Sequence, residues 1–287
     1  SRCRRPDMAL ITPPFAFAHC TDTFSGTPAA TVHGVAFTVA ATGGEGTAVD
    51  LISSVAHDVH FIILGINGCL SSGADIDAVG DLLIDRAGGT SYSEFIPNLV
   101  CGFGNTVSAS VGLRFFYFPI WAPAGSSFGF RAKNTSATAP TTGRVGLYLF
   151  GEPNRPDMWW CGQGVEALGV TEDSAHGARV TPGNSGSFGS WTSIGSPTTY
   201  RYGALQIGIG PSDSNATAIG YHWEMGYGNT RLPGSPAIYS CNQTAESGQR
   251  LYTGPIWCDI PAGTQMQVRG KASGSAEQHD IALYGVY

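Results

Sequence analysis

The chain has 287 residues, 42% of them hydrophobic and 13% charged, with 40 glycines and a formal net charge of −6. Apolar and aromatic residues spread along its length exclude disorder, and the scarcity of cations excludes an extended nucleic-acid-binding surface. No apolar run reaches the ~18 residues that cross a bilayer, so a soluble protein is expected, and the length favours about two domains.

In chain order, "SRCRRPDMAL" carries early arginines with no apolar run or small-residue cleavage site after them, so no signal peptide is expected in it. The next segment, "ALITPPFAFAHC" from Ala9 to Cys20, is apolar but holds two prolines that limit its use as a central strand. It is expected to lie against a neighbouring surface. "VHFIILGI", "LRFFYFPIW", "GFRAK" and "RVGLYLF" are short runs rich in aromatic and β-branched residues between Gly, Pro, Ser and Asn, which predicts strands. No segment keeps a 3.6-residue apolar period over three turns. The fold class is therefore all-β. About eight strands in each half suits a two-sheet sandwich of the jelly-roll kind. An immunoglobulin-like topology is the alternative, but its Cys…Trp…Cys spacing is missing.

Much of the first half returns in the second. "RRPDM" at 4–8 answers "NRPDM" at 154–158, and "HGVAFTV" from His33 answers "HGARVTP" from His176. "AVGDLLIDRAGGT" at 78–90 aligns without a gap on "AIGYHWEMGYGNT" at 218–230, and the same offset pairs Cys101 with Cys241. Both halves end alike, in "GLYLFGEP" and "IALYGVY". Ordered matches of this kind predict two tandem jelly-roll-like domains from an internal duplication, 1–153 and 154–287, joined by a Gly-Pro-Asn linker.

The strongest match is "PIWAPAGSSFGFRAKN" against "PIWCDIPAGTQMQVRGKA". It reads as a core hairpin. In Ala122-Pro123-Ala124-Gly125 a type I turn is expected, with proline at i+1 and glycine at i+3. Phe128, Phe130 and Ala132 then face inward, as do Met266, Val268 and Gly270, while Arg131, Lys133, Arg269 and Lys271 face outward. Trp257 matches Trp121 and is assigned to the core. One strand spoils the pattern: Tyr221, Trp223 and Met225 make an apolar side where the gap-free alignment puts Asp81, Leu83 and Asp85. A register shift would reverse those faces.

Seven cysteines cannot all pair, and they show neither C-x-x-C nor zinc spacing. They are read as reduced, small buried hydrophobes rather than a disulfide framework. His57 and His60 in "HDVH" fall on opposite faces of a strand and do not make a metal pair. Asp75 and Asp77, with Asp81 close by, could hold calcium, and Asp213 and Asn215 are nearby in the second half, but no EF-hand pattern supports it. Asp85 and Glu94 are available as a carboxylate pair without any further sign of glycosidase chemistry. No nucleophile elbow, Walker loop or zincin motif is present. No catalytic residue, metal or cofactor is assigned.

The aromatics are unequally shared. Five of the six tryptophans lie in the second half. Trp159 and Trp160 follow the linker, and Tyr227, Asn229 and Arg231 lie in "GYGNTRLPGSP", a predicted exposed loop. Flat rings beside Asn and Arg suit sugar stacking or protein docking, which makes these five the candidate ligand-binding residues.

The phrase "FPIWAPAGSSFGFRAKN", followed in each half by a closing strand, resembles the sandwich domains of accessory virion proteins from tailed bacteriophages and gene transfer agents. The resemblance implies a non-enzymatic head spike, head fibre, decoration or tail-tip protein, usually oligomeric, some members binding host surface glycans. On that reading the first half anchors to the particle and the aromatic-rich second half faces outward. Its partners are further copies of itself, other virion proteins such as the capsid or a spike base, and host surface polysaccharide. Neither nucleic acid nor membrane insertion is expected. The protein would sit on the virion surface after synthesis in the host bacterial cytoplasm. The alternatives are a secreted carbohydrate-binding lectin, a cement protein without receptor binding, and a polysaccharide-degrading enzyme.

Overall fold

The computed structural model describes residues 19–22, 34–39, 44–67, 78–101, 114–134, 142–151, 160–170, 177–212, 219–236, 238–242, 248–250, 254–274 and 277–287. Nine strands fall in the first half: β1 (His19–Asp22), β2 (Val35–Thr38), β3 (Val49–Ile52), β4 (Phe61–Asn67), β5 (Ala78–Asp85), β6 (Ser93–Val100), β7 (Arg114–Phe118), β8 (Ser127–Asn134) and β9 (Thr142–Gly151). Eleven follow: β10 (Val165–Leu168), β11 (Ala178–Val180), β12 (Thr192–Ser193), β13 (Tyr202–Ser212), β14 (Ile219–Tyr227), β15 (Thr230–Arg231), β16 (Ile238–Asn242), β17 (Gly248–Arg250), β18 (Ile256–Ile260), β19 (Met266–Ala272) and β20 (His279–Val286). Among the described residues there is no helix, hence none long and apolar enough to cross a membrane.

In the first half one sheet runs β1-β9-β4-β7, with β2 also on β9, and the other runs β3-β8-β5-β6. In the second half the sheets run β10-β20-β13-β18, with β11 on β20, and β12-β19-β14-β16-β17, with β15 on β14. Every first-half strand has a second-half counterpart with the same neighbours; β15 and β17 are additions. Consecutive strands repeatedly cross between two facing antiparallel sheets, which is a jelly roll and not an immunoglobulin arrangement. Phe37 of β2 meets Phe130 of β8 across the first core at 4.8 Å, and Ile62, Leu64, Phe116 and Leu82 are fully buried with them. The second core holds Leu205, Ile207 and Leu283 against Trp223, Met225 and Val268.

The recurrent phrase is not a hairpin. Its first strand, β7 or β18, belongs to one sheet and its second, β8 or β19, to the other, so the Pro-Ala-Gly turn is a corner between sheets. The turn also sits one residue later than the proline position suggests. Ser126 N–H donates to Pro123 O, Gly125 is third of four, and its φ is +87°; Gly263 repeats this at +80°. A positive φ there defines a type II turn and explains the glycine. The residue that follows also recurs for a reason: Ser126 Oγ and Thr264 Oγ1 each donate to the turn proline's carbonyl at 2.7 Å. Beyond the corner the inward sets are buried as expected, but Lys133 is buried too, 3.8 Å from Glu45.

The "HG" repeat has a similar cause. Gly34 and Gly177 adopt φ of +88° and +91°, and a Cβ would lie 2.8 Å from Val145 O and 2.6 Å from Ile281 O. Strand pairing also settles the discordant strand. Asp81 stands opposite Arg131 and Glu224 opposite Arg269, so β5 and β14 correspond with a shift of three residues from the gap-free alignment. The odd shift swaps the faces. Ala78, Gly80 and Leu82 then match Tyr221, Trp223 and Met225 on the inward side, and Asp81 matches Glu224. The same pairing places Cys101 opposite Ala78 and Ser240 opposite Tyr221, so the counterpart of Cys101 is Ser240 and not Cys241.

β20 is buried along its whole length. Ile281 and Leu283 enter the second core, while Ala282, Tyr284 and Val286 join the cluster of the first half. Phe116 and Phe118 meet the Tyr284 ring edge-on at 5.8 and 6.2 Å. The Tyr284 hydroxyl donates to Asn98 O at 3.0 Å and accepts from Val100 N–H at 2.7 Å.

Candidate binding face

The outer surface of the β13 sheet, at its β18 edge, carries Trp257 and Trp160, two of the five exposed large aromatics among the described residues. In "IWCDI" alternation puts Trp257 and Asp259 on one face of β18. Trp257 is 52% exposed and pairs across the strands with Ala204, which is buried in the first-half cluster. The indole therefore lies where the sheet runs out from under the contact between the halves. Trp160 arrives from the linker side. Its ring covers Gly203, where a Cβ would collide with it, and meets Trp257 edge-on at 6.1 Å. Trp160 is fixed by the residues after it: Gly162 N–H donates to Pro119 O, and Trp121 N–H donates to Gly162 O, both at 2.9 Å.

Beside the tryptophans, Arg201 donates to both Asp259 oxygens at 2.6 and 2.7 Å, a two-point fork exposed to water. The hydrogen bond from Arg201 holds the Asp259 carboxyl below its ordinary pKa. The 198–201 loop is anchored from below. Glu166 accepts from Thr199 and Tyr200 N–H and, at 2.6 Å, from the Tyr202 hydroxyl. Burial and the Glu166 carboxylate push the Tyr202 phenol well above its usual range. Tyr200 in turn stacks on Tyr287 at 3.8 Å. The face is thus set before any ligand arrives, so little side-chain freedom is lost on binding. Exposed indoles offer apolar planes, and the Arg–Asp fork offers donors and acceptors at their rim.

The five sequence-derived candidates do not gather in one place. Trp160 lies on this face, and Trp159 lies outside the described residues. Tyr227, Asn229 and Arg231 belong to the β14–β15 turn on the opposite sheet. Tyr227 is 37% exposed, Asn229 holds φ +60°, and Arg231 is tied to Ser235 and Glu224. Trp257, assigned above to the core, is exposed because it follows Ile256, which faces the core opposite Leu205 as Phe118 does opposite Ile62, so alternation turns the indole outward. The alternation in "IWCDI", with a charged residue two along, carried that signal. Arg201 and Asp259, 58 residues apart, had none.

The remaining candidates have structural duties. Asp85 accepts N–H groups from Ala87, Gly89 and Ser91, and Glu94 pairs with Arg131. Asp75, Asp77, Asp213 and Asn215 lie outside the described residues, as does the apolar stretch before His19. Among the described residues no three of His, Cys, Asp and Glu converge on a metal position. Cys101, Cys161 and Cys258 are free thiols, and burial pushes Cys258 up to about 12.

No family model matches the chain, and no curated protein sequence does. Solved structures with a distant likeness include PNGF-II, at 11% identity and a TM-score of 0.33, covering 92% of this chain, which spans 63% of that structure's length. A broad bean stain virus structure aligns at 10% identity and TM-score 0.34, over 88% of this chain and 87% of its own. The CBM22-1–CBM22-2 tandem of Paenibacillus barcinonensis Xyn10C aligns at 12% and 0.30, over 93% and 90%.

Proposed function

We propose that this chain is a non-enzymatic structural protein of a phage-like particle, a head spike or fibre subunit that contributes to host-surface attachment by binding glycan. The observation that carries the reading is the exposed, pre-set Trp160–Trp257 pair beside the Arg201–Asp259 fork. A pyranose ring has an apolar C–H face and an equatorial rim of hydroxyls, so it stacks on indole while its hydroxyls bond to the fork. Jelly rolls serve both as capsid and as lectin domains, which supports the combination by fold-level analogy only. On this reading the first half anchors the subunit, the second faces outward, and exposed sheet edges are covered by further copies of the chain.

The test is a glycan array with host surface polysaccharides, followed by titration monitored through tryptophan fluorescence. Saturable binding is expected, weakened at least tenfold, about 1.4 kcal/mol, in a W160A/W257A double variant. A blank array would remove the attachment role. If labelled particles still carried the protein, it would be a cement protein without receptor binding.

A further inference from the structure

The outer face of the β14 sheet, on the other side of the second sandwich, carries a second constellation. Arg269 of β19 is clamped between the rings of Phe188 and Trp191, each 4.5 Å from its guanidinium carbon. Its Nε and Nη2 both donate to Glu224 Oε2, at 2.9 and 2.7 Å. Glu224 is 6% exposed and also faces Arg231, whose Nη1 lies 3.6 Å from Oε1. Lys271, two residues along β19 from Arg269, stands over the same Phe188 ring, 4.9 Å from its centroid. Among the described residues it has no carboxylate partner. His222 lies between Phe188 and Tyr239, at 5.2 and 5.0 Å. Burial and Lys271 lower its pKa, so it adds no charge. Two arginines therefore share one carboxylate and a third cation beside them has none, in a chain whose net charge is −6.

The duplicated position in the first half shows what a purely structural version looks like. There Arg131 meets Asp81, Glu45 and Glu94, and Lys133 is buried beside Glu45. Two cations face three carboxylates, and no ring clamp is present around Arg131 among the described contacts. The same pair of strand positions is closed by acids in one half and left cationic and ringed with aromatics in the other. A sheet needs only the first arrangement.

We propose that this second-half face is an anion-recognition site for acidic saccharide, with Lys271, Arg231 and the free edge of Arg269 taking a sugar carboxylate and the half-exposed Tyr239 and Trp191 rings flanking the sugar. A guanidinium held by rings and a buried carboxylate is pre-organised, so its remaining donors bind at little entropic cost. Nucleic acid fits less well: three cations in a net acidic chain supply little of the phosphate neutralisation that drives such binding. The site is independent of the Trp160–Trp257 face, being on the opposite sheet.

The test uses the full chain and three probes: polygalacturonate, its fully methyl-esterified form, and a single-stranded oligonucleotide. Binding to polygalacturonate is expected, at least tenfold tighter than to either other probe. A K271Q/R231Q variant should lose at least tenfold. Lys271 has no carboxylate to orphan, and K271Q alone keeps the test open if the double variant fails to fold. Equal affinity for the esterified polymer, equal affinity for the oligonucleotide, no binding by the wild type, or insensitivity to K271Q would each overturn the proposal.

Discussion

Asp81 and Glu224 occupy one structural position, each a nearly buried carboxylate on the outward side of a central strand, and each is held by an arginine from the neighbouring strand. Removing the cation leaves the acid desolvated and unpaired, which costs far more than an exposed pair is worth. Arg131→Met should destabilise the protein by about 3 kcal/mol or more in denaturant unfolding, whereas Arg201→Met should leave the midpoint unchanged. Glycine at the corner can be tested as cleanly. A Cβ on Gly125 would meet nothing within 4 Å, so Gly125→Ala pays only for its left-handed backbone, about 1–2 kcal/mol. At Gly34 the same change adds a collision with Val145 O, and a larger loss is expected.

β20 begins with His279, fully buried, its ring edge-on to Tyr221 at 4.3 Å and to Trp223 at 5.1 Å. Neither ring nitrogen has a well-formed hydrogen bond, the Gly210 backbone giving only weak support. Burial, reinforced by Arg179, lowers its pKa to about 3. The unfolded chain takes up a proton near pH 6.5 that the folded chain refuses until about 3. The stabilisation is therefore full above 6.5 and declines as pH falls through that window. Unfolding midpoints measured from pH 7 to pH 4 should drop for the wild type more steeply than for His279→Leu, by the slope of one proton. With its thiol pushed up to about 12 by burial on β18, Cys258 should resist alkylation at pH 8 until the chain is unfolded.

At the scale of the whole molecule, Tyr284 is the clearest link between the halves, since its ring and its hydroxyl both reach β6 or β7 from β20. Tyr284→Phe keeps the ring but removes the hydroxyl's bonds to Val100 N–H and Asn98 O, and a loss of about 1–3 kcal/mol is expected from unfolding curves. Tyr284→Ala also removes the ring from between Phe116 and Phe118, and should cost about 3–5 kcal/mol. If the halves are coupled through this contact, the alanine variant should unfold in two steps where the wild type unfolds in one.

The amino-acid sequence by itself determined that the chain is all-β, that its halves share a plan, and which residues of "SFGFRAKN" and "MQVRGKA" face the core. Alternation with a period of two and repeated glycines are local properties, and they are written locally. Tertiary structure decided what depends on which strand lies beside which. It made a supposed hairpin a corner between sheets, because β7 and β8 find their partners in different places. It shifted β14 by three residues against β5, because matching Asp81 to Glu224 keeps each acid on its arginine, a pairing across 50 and 45 residues that no run of neighbours records. It turned Trp257 outward, and it parted Trp160 from Tyr227, Asn229 and Arg231 by placing them on opposite sheets. A side chain's face follows from its own strand; its companions follow from long-range pairing, and a binding site is made of companions.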